Sequence, residues 1–226
     1  MNTLEPEELL IIGTGGLAKE MAQLARQIDP SGQRWDRISY VAENSDSVGQ
    51  SLPYGTVRYT DQTLLERTES ADVVVAVGQP KVRQRLGQQL GSSGLFRFPN
   101  LIHPDVQVDP LHVRLGKGNV LTKGVVLTCD IVIGDFNLVN WNATVGHDAT
   151  LGSYNVLNPG SNVSGHVKIG DSCLIGVGAI ILERLQIANG TVIGAGAVVT
   201  KSVVRENGTY VGVPARLKLP GVGRRV

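Results

Sequence analysis

The sequence is poor in aromatic residues and in cysteine, and both shortages limit what the chain can be. Phe, Trp and Tyr make up 4% of its 226 residues, whereas glycine occurs 28 times. Few bulky side chains with many glycines indicate tight, repeated turns. Two cysteines, Cys129 and Cys173, cannot form a disulfide framework, and their neighbours lack metal-ligand spacing. We therefore predict that both are small core residues.

Strong net charge and long apolar runs are also missing. The formal net charge is +1, with both signs scattered along the chain. The absence of a basic block argues against nucleic acid as a partner. No apolar run approaches the roughly 20 residues of a membrane span, and no secretory signal pattern is seen at the N-terminus. These features predict a cytoplasmic protein that does not enter a membrane.

The strongest positive signal is a column of Leu, Ile or Val at every sixth position from 115 to 199. Period six is neither helical nor that of an amphipathic strand, and it predicts a parallel β-helix with eighteen residues per coil over residues 101–203. None of these six-residue repeats, or hexads, carries an insertion, so no long loop projects from the triangular prism that the coils form. Any pocket beyond the prism wall must therefore come from another element. The column consists of Leu115, Leu121, Leu127, Ile133, Val139, Val145, Leu151, Leu157, Val163, Ile169, Ile175, Ile181, Ile187, Ile193 and Val199.

The first hundred residues have a different pattern, in which strands and helices alternate. Apolar runs predict strands at 9–12, 38–41 and 73–77, and amphipathic stretches predict helices at 17–28 and 81–90. Buried strands with helical crossovers indicate a small parallel sheet, about half of a doubly wound, Rossmann-like nucleotide-binding domain. We therefore expect an α/β domain at 1–100, the all-β prism at 101–203, and a C-terminal tail at 204–226.

A glycine-rich loop follows the first predicted strand and precedes the first helix. Gly13, Thr14, Gly15 and Gly16 fit the pattern that holds phosphate at a helix N-terminus. Glu43, after the second strand, can accept a ribose hydroxyl, and Gly78 ends the third strand at the same edge of the sheet. The loop predicts a nucleotide-linked substrate; the alternative is a tight turn without a ligand.

His147 is the residue of unusual chemistry within the hexads. Residues eighteen apart lie one coil apart, roughly 4.8 Å, which places His147 under Gly165 and Asp148 under His166. A neutral imidazole held by a carboxylate can act as a general base, and the Gly165 N–H can serve an oxyanion. The alternative is an exposed surface histidine, the interpretation we keep for His103, His112 and His166. A metal site is disfavoured because the pair His147 and His166 has no third partner except Asp148.

The whole chain resembles a known family through the order of its motifs. These are GTGGLAKE at 13–20, a small α/β domain, IHP at 102–104, unbroken hexads, a histidine–acid pair, and GTYVGVPA at 208–215. The chain is similar to the bacterial PglD-like and NeuD-like acetyltransferases of nucleotide-amino-sugar and sialic acid pathways. The resemblance implies a left-handed coil, acetyl-CoA as co-substrate without a metal, and a homotrimer with each site between two prisms.

The resemblance also implies roles for individual residues. His147 corresponds to the general base, Asp148 to the acid that assists it, and Asn140 to an asparagine nearby. Acetyl-CoA is expected to meet the backbone at Gly165, and the nucleotide sugar to lie at the loop 13–16. The rest of acetyl-CoA is expected along Gly176, Gly194, Val213 and Pro214, with Lys201 and Arg216 near its phosphates.

Three positions depart from the family pattern, and they concern the nucleotide. Leu17 and Val156 stand where some members have histidine, and Ala42–Glu43 stands where some have an acidic pair. The nucleotide is therefore left open among UDP, GDP and dTDP.

The predicted reaction is acetyl transfer to the amino group of a nucleotide-linked 4-amino-4,6-dideoxy sugar. It proceeds by direct attack, because neither cysteine sits beside a base. One alternative is O-acetylation of a sialic acid or another sugar. The others are a non-catalytic trimeric scaffold and a metal-dependent hydratase.

Overall fold

The computed structural model describes residues 7–218. Its N-terminal part is a six-stranded sheet in the order β3-β4-β2-β1-β5-β6, parallel except for the β3–β4 hairpin. The strands are β1 Glu7–Ile12, β2 Trp35–Ala42, β3 Ser51–Leu52, β4 Gly55–Thr60, β5 Ala71–Val75 and β6 Phe96–Arg97. The helices are α1 Gly16–Ile28, α2 Asp61–Leu65 and α3 Pro80–Gly91, and Ser45–Ser47 form a 3-10 turn.

The sequence predicted three of these strands and two of the helices, each close to its observed position. The β3–β4 hairpin, α2 and β6 were missed. Both β3 and β6 have only two residues, too few to show a period. α2 has five residues with a single buried side chain, Leu64, so it lacks the apolar stripe that marks a longer helix.

The C-terminal part is the predicted left-handed parallel β-helix, which confirms the fold class. Its strands are β7 Leu101–Ile102, β8 Val113–Leu115, β9 Val120–Leu121, β10 Val126–Leu127, β11 Ile131–Ile133, β12 Leu138–Val139, β13 Thr144–Val145, β14 Thr150–Leu151, β15 Val156–Leu157, β16 Asn162–Val163, β17 Lys168–Ile169, β18 Leu174–Ile175, β19 Ile180–Ile181, β20 Gln186–Ile187, β21 Val192–Ile193, β22 Val198–Val199, β23 Thr209–Val211 and β24 Arg216–Leu217. Every residue of the six-residue column ends one of the strands β8 to β22, and the column lines the core.

The coil length of eighteen residues is seen directly in the strand pairing. Thr144 pairs with Asn162, which pairs with Ile180 in the next coil. The first coil is one residue longer, because Leu101 pairs with Val120. Buried asparagines reinforce the stack: the Asn119 and Asn137 side chains each accept from the backbone N–H one coil on, at 2.8 Å. These hydrogen bonds satisfy backbone N–H groups and asparagine side chains that are buried at the corners of the prism.

The prism has three faces, which differ in their outward side chains. The covered face contains β7, β9, β12, β15, β18, β21, β23 and β24; the apolar face contains β10, β13, β16, β19 and β22; the polar face contains β8, β11, β14, β17 and β20. Outward residues of the apolar face are uncharged: Val126, Thr144, Asn162, Ile180 and Val198. The polar face presents Arg114, Val132, Thr150, Lys168 and Gln186.

The N-terminal part packs on the covered face through α1. Val120, Leu138 and Val156 point outward from the prism, yet at most 2% of their surface is exposed. They share one apolar cluster with Met21 and Ala25 of α1. Burying three such side chains fully stabilises the docking by about 1.5–3 kcal/mol each. The two parts are therefore held together by a continuous core.

A buried arginine makes a second link between the two parts. Arg83 of α3 is fully buried. Its guanidinium donates to the carbonyls of Val75 at 2.7 Å and Val77 at 3.0 Å, and across to Phe136 of the prism at 3.0 Å. Burial lowers the pKa of Arg83 to about 10. Beside it, Gly87 lets α3 approach the stacked rings of Phe136 and Tyr154.

The prediction for one cysteine was wrong. Cys173 is buried as expected, but Cys129 is exposed. Cys129 is eighteen residues before His147 and occupies the same outward corner position one coil earlier. Its small apolar character suggested a core residue, whereas its place in the hexad puts it outside.

The C-terminal segment adds β23 to the covered face and folds back as β24. Residues 1–6 of the predicted first domain and 219–226 of the predicted tail lie outside the described residues. None of the helices within 7–218 has both the length and the apolar composition needed to cross a membrane.

Candidate active site

His147 lies on the corner between the apolar and polar faces, directly after β13. Its Nδ1 is 2.7 Å from Oδ2 of Asp148, and about half of each side chain is exposed. The hydrogen bond from His147 lowers the pKa of the Asp148 carboxyl, and the charges of His166, His147 and Arg184 lower it further. In the neutral tautomer whose Nδ1–H donates to the Asp148 carboxylate, Nε2 has a free lone pair.

Gly165 lies against the imidazole one coil later, as the spacing predicted. A β-carbon added at Gly165 would come within 2.7 Å of Nε2 and Cε1 of His147, so only glycine leaves the ring its place. The backbone pairs here too, because the His166 N–H donates to the His147 carbonyl at 2.8 Å. Within residues 7–218 the Gly165 N–H has no hydrogen-bond acceptor, so it is available to an oxyanion.

His166 is the third member of a group with His147 and Asp148. The sequence predicted that His166 stacks on Asp148, but not that the two side chains approach each other. Nε2 of His166 is 3.7 Å from the oxygen that His147 contacts, and the two imidazole rings are 5.1 Å apart, edge to face. Asp148, His166 and Arg184 all have positive φ, from 57° to 60°, so the corner repeats one backbone shape. The spacing of eighteen predicted the stacking, but the direction of the side chains was not readable from it.

Asn140 lies on a different corner from His147. It follows β12 on the covered face, so the whole width of the apolar face separates it from His147 in one chain. Its Oδ1 accepts from the Trp141 N–H at 2.9 Å. Within a single chain, the structure therefore does not bring Asn140 together with His147 and Asp148, the other predicted catalytic residues.

The predicted acetyl-CoA residues lie on the same two corners and in the C-terminal segment. Gly176 and Gly194 are in register with Asn140, and each approaches the next coil closely: a β-carbon at Gly176 would lie 2.5 Å from the Ala195 nitrogen. Lys201 is exposed in the column of His147, three coils or about 14 Å along the axis. Val213, Pro214 and Arg216 are exposed around the β23–β24 turn.

Three of the six predicted nucleotide-binding residues line a cleft at the carboxyl edge of the N-terminal sheet, and the other three are their neighbours in the chain or on the same edge. This Gly13 cleft has a volume of about 390 Å³ and is lined by Gly13, Thr14, Glu43 and Gln79, among others. Gly78 lies between two of its lining residues, and Gly15 and Gly16 open α1. The N-cap residues, Gly15 of α1 and Gln79 of α3, make no side-chain hydrogen bond to the first turn of their helix. The free N–H groups at both helix starts favour an anion.

Two charged residues of the Gly13 cleft were missed by the sequence analysis. Asp61, at the start of α2, and Arg85, on α3, both line it. Burial raises the pKa of the Asp61 carboxyl, the charge of Glu43 adds to this, and Arg85 opposes it. Both residues belong to helical segments whose sequence signals no ligand; only the packing of α2 and α3 around the strand ends brings them to Glu43.

Models of known protein families match segments in both halves of the chain. Residues 8–90 match the PglD N-terminal domain, and residues 166–201 match the bacterial transferase hexapeptide (six repeats). No curated protein sequence matches the chain.

Solved structures match nearly the whole chain. The acetyltransferase domain of PglB from Neisseria gonorrhoeae, in complex with acetyl coenzyme A, has 30% identity and a TM-score of 0.84, over 94% of this chain and 100% of that one. A mutant perosamine N-acetyltransferase from Caulobacter crescentus, in complex with CoA and GDP-perosamine, has 32% identity and a TM-score of 0.82, over 94% and 97%. WeeI from Acinetobacter baumannii has 27% identity and a TM-score of 0.78, over 93% and 100%.

The hexapeptide-repeat match and the matching acetyltransferase structures place the chain among the hexapeptide-repeat acyltransferases. Within that class, the chain belongs to the PglD-like family of bacterial sugar acetyltransferases.

Proposed function

We propose that this chain transfers the acetyl group of acetyl-CoA to the amino group of a nucleotide-linked 4-amino-4,6-dideoxy sugar, with His147 as general base. The observation that carries the proposal is the 2.7 Å contact of His147 Nδ1 with Asp148, which leaves Nε2 beside Gly165. Support for the donor and the acceptor comes from relatives crystallised with acetyl coenzyme A and with GDP-perosamine.

The proposed reaction needs one base and one hydrogen-bond donor. The lone pair of the neutral sugar amine attacks the thioester carbonyl carbon, and His147 Nε2 takes the amine proton. The Gly165 N–H stabilises the negative oxygen of the tetrahedral intermediate. The C–S bond then breaks, and the proton on Nε2 passes to the departing thiolate, giving the amide and CoA. Asp148 stabilises the imidazolium in between and is not itself protonated.

The acceptor is proposed to enter through the Gly13 cleft. The diphosphate lies at the uncapped starts of α1 and α3, where free N–H groups favour anions. Glu43, at the end of β2, accepts from the ribose hydroxyls. The amino sugar then extends toward a His147 corner.

We also infer a homotrimer built through the apolar face. Two corners border that face, one with His147 and Gly165, the other with Asn140, Gly176 and Gly194. Packing of apolar faces around a threefold axis brings the first corner of one prism toward the second corner of its neighbour. The acetyl-CoA groove is then completed by two chains, which supports the joint role proposed for residues that lie apart in one chain.

A panel of acceptors tests the reaction. With acetyl-CoA, we expect CoA release with a nucleotide-linked 4-amino-4,6-dideoxy sugar and little with the matching 4-hydroxy sugar, measured by thiol detection and mass spectrometry of the product. Supplying the amino sugar with GDP, UDP or dTDP identifies the nucleotide. Faster transfer to the hydroxy sugars would replace N-acetylation with O-acetylation.

A charge on the apolar face tests the trimer. Ile180 is 36% exposed in the single chain, and Ile180→Glu would bury three carboxylates near the proposed axis. We expect the mass from light scattering to fall from three chains to one and activity to be lost. Thr150→Glu, on the polar face, is the matched control and is expected to stay trimeric. A trimeric Ile180→Glu variant would exclude this face as the interface.

A further inference from the structure

The group around Asp148 contains the donor atoms of a transition-metal site. One atom each from His147, Asp148 and His166 lie within 4.8 Å of one another. Two imidazole nitrogens and one carboxylate oxygen, with a further position open, form a ligand set that Zn²⁺ binds. The sequence offered Asp148 as the only third partner of the two histidines, which disfavoured a metal, and the structure places its carboxylate within reach of both.

The distances suit an ion after small side-chain movements. Zinc bonds of about 2.0–2.2 Å in a tetrahedron place ligand atoms about 3.3 Å apart. Asp148 Oδ2 is 2.7 Å from His147 Nδ1 and 3.7 Å from His166 Nε2, on either side of that value. All three side chains are partly exposed, so they can rotate and an ion can reach them.

The backbone that carries these side chains is firmly held. The Asp148 N–H donates to the Cys129 carbonyl at 3.0 Å, and the His166 N–H to the His147 carbonyl at 2.8 Å. The spacing between side chains on neighbouring coils is therefore fixed before an ion binds, which lowers the entropy cost of binding. Arg184 acts on Asp148 from two coils further along; its positive charge opposes a cation, but its exposure weakens the effect.

We propose that His147, Asp148 and His166 bind one Zn²⁺ ion, or a similar late transition-metal ion, and that this ion inhibits acetyl transfer. The inhibition rests on the proposed function: a zinc ion on Nδ1 of His147 leaves the ring proton on Nε2, which removes the lone pair of the general base, and the ion also takes up the Asp148 carboxylate. The metal is an inhibitor here and not a cofactor. Mg²⁺, which prefers oxygen ligands, is expected not to compete.

Direct binding to the tag-free full chain tests the site without any assay of acetyl transfer. We expect one Zn²⁺ per chain by calorimetry, and visible absorption of tetrahedral Co²⁺ that Zn²⁺ displaces and Mg²⁺ does not. His166→Asn, a residue type that accepts the positive φ at this corner, is expected to weaken binding at least 10-fold. Binding to His166→Asn with wild-type strength would overturn the site.

Two variants control for other ligands. His112 forms a similar exposed pair with Asp130, at 3.1 Å, so His112→Asn tests a histidine–aspartate pair alone. Cys129→Ser tests the exposed thiol one coil below His147. Both are expected to bind zinc as the wild type does. Weakened binding in either variant, with His166→Asn unaffected, would assign the ion elsewhere and reject the proposal.

Inhibition is measured separately. Zinc is expected to abolish wild-type acetyl transfer reversibly, with recovery after EDTA. His166→Asn, compared with its own activity without zinc, is expected to need at least 10-fold more zinc for the same fractional loss. Equal inhibition of the two proteins would reject the inhibitory role. Absence of acetyl transfer without zinc would count against the proposed function alone, because metal binding is scored independently.

Discussion

Replacement of His147 by alanine is expected to lower kcat by roughly 10²–10⁴-fold, the usual contribution of a general base. The amine proton then has no acceptor at the place of Nε2, while the Gly165 N–H and the Gly13 cleft stay intact. We therefore expect KM for the acceptor to change little. Steady-state kinetics with acetyl-CoA and the best acceptor of the panel measures both constants.

A matched control separates loss of the base from loss of a surface imidazole. His112→Ala removes an exposed histidine that also contacts an aspartate, Asp130, and should leave kcat at the wild-type value. Asp148→Asn is expected to lower kcat by up to about 10⁴-fold, because the amide can donate to Nδ1, which holds the ring in the wrong tautomer, and cannot stabilise its positive charge. Turnover of His147→Ala near that of the wild type would remove His147 from the mechanism.

Replacement of Arg83 by alanine is expected to lower the free energy of unfolding by roughly 3–5 kcal/mol. The change empties the space of a large buried side chain and leaves the carbonyls of Val75, Val77 and Phe136 without their donor. Removing the charge also removes the cost of burying it, which keeps the loss below the sum of three bonds and a cavity. Denaturant unfolding followed by circular dichroism gives the value.

Arg85 supplies the control for Arg83, because it lies on the same helix but is exposed. Arg85→Ala is expected to change stability by less than about 0.5 kcal/mol. Since Arg85 lines the Gly13 cleft, this variant should instead bind nucleotide more weakly. If Arg83→Ala were as stable as Arg85→Ala, the buried guanidinium would not hold the two parts together.

The architecture was readable from the sequence because it is periodic. Each inward residue of the hexads recurs at a fixed spacing, so the parallel β-helix, its coil length and the stacking of Gly165 on His147 followed from counting. The left hand of the coil followed from the family resemblance. The N-terminal sheet followed from buried strands that alternate with amphipathic helices. Short elements such as β3 and α2 carry too few residues for a period to appear.

What the sequence did not reveal depends on side-chain direction and on packing between distant segments. An arginine on an amphipathic helix is normally solvated, so nothing marked Arg83 as buried. Asp61 reaches the Gly13 cleft only because α2 packs beside β2 and β4. The spacing placed Asp148 under His166, but it could not show that both histidines turn toward one carboxylate.

The unequal covering of the prism bears on how the molecule unfolds. Coils in such a stack contact only their neighbours, so local stability adds up along one axis. α1 buries the outward residues Val120, Leu138 and Val156, whereas Leu174 and Val192 further along are only half-buried. The coils around His147 belong to the part of the prism that α1 covers. The coils that carry Gly194 and Lys201 are less covered, and we expect them to unfold locally before the rest. In the proposed function, proton transfer takes place at the well-covered centre of the prism, and the long arm of acetyl-CoA lies along its less covered end.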